Sequence, residues 1–139
     1  MRKLAIAFMI LIASAAYSEK VKNKVKEKRF EPVVAKAAAE FAGSYRGPSE
    51  SYGLVLELRN GTLSGNYVEM GRIAVLGPVK LNGSDFTATV SFDDGSYRTI
   101  EGSFANRVLN GVRAFGIRVY SVPMEGNDGP INTFFEKMN

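Results

Sequence analysis

Four turn dipeptides constrain this chain more than anything else in it. Asn60-Gly61, Asn82-Gly83, Asp94-Gly95 and Asn110-Gly111 each sit between runs of alternating apolar and polar residues. Asn-Gly and Asp-Gly supply the positive φ that tight hairpin turns require. A chain that reverses this often, over segments this short, has little choice but an antiparallel meander. Eight strands are expected, at about 43–48, 52–59, 62–69, 72–81, 85–92, 97–106, 112–122 and 131–138.

The registers implied by these turns test the reading. A two-residue turn at Asn60-Gly61 sets Leu58 opposite Leu63, Leu56 opposite Gly65 and Leu54 opposite Tyr67, all on one face. Asn82-Gly83 sets Val79 against Phe86, Gly77 against Ala88, Val75 against Val90 and Ile73 against Phe92. A three-residue loop at Asp94-Gly95-Ser96 brings Val90 to Ile100 and Phe86 to Phe104. Asn110-Gly111 then pairs Phe104 with Ile117 and Gly102 with Val119. Met70-Gly71 joins this scheme only through a three-residue loop. The opposite face carries Glu57, Ser64, Asn66, Thr87, Thr89, Ser91, Arg98 and Glu101. One dry face and one wet face describe an antiparallel sheet around a single core. The simplest closure is an all-β, eight-stranded up-and-down barrel, which leaves no exposed edges; a two-sheet β-sandwich is the alternative.

The region before the meander has a different composition. Residues 1–18 run from a basic start (Arg2, Lys3) through an apolar stretch to small residues, the grammar of a signal peptide cleaved after Ala15 or Ser18. Its apolar run, Leu4 to Ala13, is shorter than the roughly 20 residues a spanning helix needs. The expectation is a secreted or periplasmic protein with no stable membrane span after cleavage. Residues 19–36 carry seven Lys/Arg against three Glu and read as a basic linker or a frayed helix. A helix near 33–42 is expected between Pro32 and Gly43, with Val34, Ala38 and Phe41 on one face. The barrel domain with this short leading helix covers 37–139.

The chain contains no cysteine and no histidine. That removes disulfides, thiolate nucleophiles, the commonest general base and nearly every zinc site. Asp93-Asp94-Gly95 and Glu125-Gly126-Asn127-Asp128-Gly129 lack the full spacing of a calcium loop. The expectation is a non-enzymatic protein with no cofactor and no metal. Residues 37–139 carry nine Lys/Arg against eleven Asp/Glu, so no basic stripe suits nucleic acid.

The stretch Gly43-Ser44-Tyr45, followed by Gly61-Thr62-Leu63-Ser64-Gly65-Asn66-Tyr67, resembles the first strands of avidin-type barrels. More broadly it is similar to the calycin group, which includes lipocalins. The approach through Phe41-Ala42-Gly43-Ser44-Tyr45 also resembles lipocalin-like domains appended to bacterial β-lactamase-like hydrolases. The resemblance implies a barrel that holds a small molecule. Tyr67 stands where avidins place a ligand-contacting tyrosine, and Ser51 falls near a ligand-contacting serine. The tryptophans that enclose biotin have no counterpart here.

Two functions follow as expectations. The first is an exported barrel binding a small apolar ligand in a cavity bordered by Tyr45, Leu54, Leu56, Tyr67 and Phe104. The alternative is a protein-interaction module, such as an inhibitor of an exported hydrolase or an envelope accessory protein, with a filled interior. Gly65, Gly77 and Gly102 on the inner face serve either strand coiling or a small cavity. Tyr45, Tyr52 and Tyr67 are placed to line one region. Arg46, Glu50 and Glu69 lie near strand ends, positioned to orient a polar group. Residues 123–130 form the longest connection between strands and are the candidate lid. Oligomeric state is not legible.

Overall fold

The structure, a computed structural model, describes residues 28–34 and 37–139. The expected signal peptide lies outside the described residues. In chain order the elements are β1 (Lys28–Pro32), the one-turn helix α1 (Ala38–Phe41), β2 (Gly43–Arg46), β3 (Gly53–Arg59), β4 (Thr62–Glu69), β5 (Arg72–Leu76), β6 (Lys80–Asn82), β7 (Asp85–Phe92), β8 (Tyr97–Leu109), β9 (Val112–Val122) and β10 (Ile131–Lys137). All pairings are antiparallel, and β7–β8 contact closes the sheet into an eight-stranded barrel in which β5 and β6 share one position.

The first and last hairpins have the expected registers, with Leu54 opposite Tyr67 and Phe104 opposite Ile117. The stretch between them is corrected. Met70-Gly71 is a two-residue turn, both residues at positive φ, between the paired Glu69 and Arg72. The next reversal lies at Gly83-Ser84, so Leu81, not Val79, opposes Phe86. Pro78 has no N–H to give to the ladder, and the expected strand 72–81 breaks there into β5 and β6. Leu76 and Ala74, not Val75 and Ile73, oppose Val90 and Phe92. A one-residue slip exchanges the two faces of a strand: Ala74 and Leu76 are buried, whereas Ile73 and Val75 are 65% and 63% exposed.

The reversal between β7 and β8 begins one residue earlier than expected, at Asp93, with the Phe92 N–H bonding the Ser96 carbonyl across Asp93-Asp94-Gly95. Val90 therefore opposes Arg98, and Phe86 opposes Gly102. Arg98 thus shares the inner face with Val90 instead of the wet face.

The leading segment also differs. Lys28–Pro32, inside the stretch expected to be a linker, forms β1 and pairs with the far half of β8, register Phe30 to Arg107 and Pro32 to Ala105. Thirteen-residue β8 thus serves β7 with one half and β1 with the other. A small external cluster holds β1 there. Phe30 meets Phe134 of β10 with ring centroids 5.6 Å apart, and Arg118 lies 4.2 Å from the Phe30 ring centroid. Gly116 makes room, since a Cβ there would collide with the Phe134 ring. The helix is a single turn, and Val34 is 85% exposed, off the face shared by Ala38 and Phe41.

The interior is closely packed. Phe41 drops from α1 into one end of the barrel and stacks on Phe104, centroids 3.9 Å apart, with Phe86 and Phe115 against the same ring. Gly102 leaves space that the Phe86 ring fills, and at Gly65 a side chain would strike the Val55 carbonyl. These two glycines therefore permit close approach of neighbours.

Candidate functional site

The five residues expected to border a cavity are brought together. Tyr45 and Tyr67 both flank Leu54 across the sheet, Leu56 opposes Gly65, and the Tyr45 and Phe104 rings lie 6.4 Å apart. All five are buried members of the packed core. The Tyr45 hydroxyl donates to the Phe41 carbonyl, and that of Tyr67 to the Glu69 carboxylate.

Burial raises both hydroxyl pKa values above the ordinary tyrosine range, and for Tyr67 the neighbouring Glu69 charge adds to it. The folded chain therefore prefers both rings neutral. That contribution to stability is intact below about pH 10, the ordinary tyrosine pKa, and drains away as pH rises beyond it. In an alkaline ultraviolet titration, Tyr45 and Tyr67 are expected to ionise only as the barrel unfolds. Ionisation of Tyr45 and Tyr67 with circular dichroism unchanged would show a water-filled interior instead.

The other end of the barrel carries the loops after β2, β4, β7 and β9. It is closed by charge instead of by a ring. Both Glu69 carboxylate oxygens accept hydrogen bonds from the Arg98 guanidinium. Arg72 stacks 4.3 Å from the Phe92 ring centroid and bonds Asp94. Glu69 was legible as a strand-end charge, yet it is spent on this pair and on Tyr67. Among the described residues, no cluster of three or more acidic groups is placed to hold a metal.

The prominent opening lies at the side. β2 stops at Arg46 because Gly47-Pro48 turns the chain away, and Pro48 cannot extend a ladder. β10 begins at Ile131 but meets β2 only from Glu136 onward, through Glu136–Arg46, Lys137–Tyr45 and a bond from Met138 N–H to the Ser44 carbonyl. The first half of β10 thus has β9 on one flank and no strand on the other. Along this edge runs a cleft of about 900 Å³. Its inner wall holds Tyr52, Met124 and Thr133, and its outer wall holds Lys28, Arg46, Arg107, Phe134 and Glu136.

Four residues singled out in the sequence reach this cleft, Tyr45, Arg46, Glu50 and Tyr52, and Met124 comes from the long 123–130 connection. The Tyr52 hydroxyl ties that connection down by donating to the Pro123 carbonyl, 3.1 Å away. Arg107, Phe134 and Lys28 were missed. Their signal was absent because it depends on β1 lying against β8. The unequal lengths of β2 and β10 were half visible in Pro48.

The outer wall is electrostatically uneven. Glu136 lies 3.4 Å from Arg46 and 3.5 Å from Arg107, long contacts shared by two guanidinium groups. Arg107 lies over Phe134, 4.9 Å from its ring centroid, and its Nε is buried without a hydrogen-bond acceptor among the described residues. Comparison with protein-family models, curated proteins and solved structures gave no match.

Proposed function

We propose that this chain is an exported, non-enzymatic protein-interaction module, built on a calycin-like barrel, that engages its partner along the β10 cleft. The observation that carries the reading is the contrast between the two candidate places. The axial interior is occupied by Phe41, Phe86 and Phe104 in mutual contact. The lateral cleft has volume, an unpaired strand edge and mixed apolar and charged walls, the features of a surface that recognises polypeptide. Ligand pockets for small apolar molecules are instead enclosed and largely apolar.

A photo-crosslinking side chain at Asn132, on the cleft edge, tests this in intact cells of the source organism. The same group at Ile73, exposed four strands away around the barrel, is the control. A discrete protein adduct from position 132 and none from 73 is the expected result. In parallel, a thermal-shift screen with lipids and apolar dyes is expected to show no saturable stabilisation. Saturable stabilisation by an apolar compound, with no adduct at 132, would return the barrel to a carrier role.

A further inference from the structure

Resting on that reading, we infer that the cleft receives an extended, acidic segment of the partner, added as a strand to the free edge of β10. The argument begins with hydrogen-bond direction. In an antiparallel ladder, alternate residues turn their N–H and C=O groups to the same side. Met138 bonds toward β2, so Glu136, Phe134 and Asn132 point their backbone groups the same way. Beyond Glu136 the chain of β2 has turned off at Pro48, and Phe134 and Asn132 present donors and acceptors along the cleft. An exposed strand edge is a template for another strand.

The walls then specify the side chains. Residues of an added strand would point alternately inward and outward. Inward positions meet Tyr52, Met124 and Thr133, which suit apolar groups. Outward positions meet Phe134 with Arg107 stacked on it, beside Arg46 and Lys28. Three cations stand there against Glu136 and Glu50, and Glu136 is already shared between two arginines. The Arg107 side chain is 28% exposed and meets Glu136 only at 3.5 Å, so a carboxylate of the added strand can take its terminal guanidinium N–H groups in a charge-assisted bond. From Ile131 to Phe135, short of the residues β2 already pairs, the free edge runs for about 13 Å at roughly 3.3 Å per residue, room for a strand of four or five residues. Residues 19–27 of this chain, EKVKNKVKE, are net basic and match the outer wall poorly.

The test uses a short fluorescent peptide of alternating valine and glutamate, titrated against the purified chain by anisotropy. Its counterparts alternate valine with lysine, or carry N-methylated backbone amides. The valine–glutamate probe is expected to bind, and the lysine and N-methyl probes to bind about tenfold or more weakly. Arg107→Gln is expected to lose a similar factor. Asn132→Pro, which removes an edge N–H, is expected to weaken binding of every probe. Circular dichroism checks that both variants remain folded. Equal binding of the glutamate and lysine probes, or indifference to both substitutions, would overturn the inference. Failure of every peptide while the crosslink at 132 persists overturns the peptide class and leaves the interaction module standing. A concentration-dependent dimer dissolved by Asn132→Pro also overturns it, because a second copy then fills the edge.

Discussion

Phe104→Ala is expected to destabilise the domain by about 4 kcal/mol, the usual range for removing a buried aromatic ring. Phe104 is the hub of the interior: Phe41 stacks on it, and Phe86, Tyr45 and Phe115 surround it. Its neighbours belong to three other strands and the helix, so they cannot collapse together into the space without moving the wall. A domain this size has only about 5–15 kcal/mol to lose, and the urea midpoint should fall by a large fraction. Val112→Ala, at a position 69% exposed, should change stability by less than about 0.5 kcal/mol. The vacated volume should also make the variant bind small apolar molecules that the parent does not, as dry engineered cavities do. A loss below about 1 kcal/mol for Phe104→Ala would mean that the ring already borders empty space, and an axial ligand would regain its case.

Most of this architecture was written in local turn chemistry. Asn60-Gly61 and Asn110-Gly111 fixed their hairpins because each turn needs positive φ at both positions, and each flanking pattern rejects a one-residue slip. Asn82-Gly83 misled because Gly83-Ser84 supplies an equally good reversal one residue on. The consequence reached β5, where Pro78 imposes an offset that periodicity alone does not reveal. Ile73 and Val75 look like core residues by composition, and only the strand pairing shows them outside. Arg98 is the converse: a charged residue at a position of inward parity, which reads as an error in the pattern until Glu69 is seen facing it. The five residues expected to border a cavity are buried neighbours in the core. Whether neighbours enclose space or fill it depends on side-chain packing across the barrel, which pairwise register does not encode. β1 left no trace because its partner on β8 lies more than seventy residues away, and its contacts with Phe134 and Arg118 are equally remote in sequence.

Arg98→Met is expected to cost about 3 kcal/mol, while the double variant Glu69→Leu/Arg98→Met should lie within about 1–2 kcal/mol of the parent. Glu69 is 3% exposed and relies on Arg98 and the Tyr67 hydroxyl. Without the guanidinium, a carboxylate remains in the wall with one weak donor, and an unpaired buried charge is the costliest kind of defect. The Arg98 side chain is 33% exposed, so solvent screens the pair and places the cost near the lower end of the usual range. Glu69→Leu alone should cost less than Arg98→Met, because a freed arginine can swing toward water and only the Tyr67 hydroxyl loses its acceptor. The cycle of four proteins, measured by urea unfolding at neutral pH, is therefore expected to give a coupling of at least about 1.5 kcal/mol. This pair is also what closes the loop end of the barrel, as Phe41 closes the other. A coupling under about 0.5 kcal/mol would mean that water already surrounds both groups. The loop end would then be open, and the apolar interior would be reachable from solvent along the barrel axis.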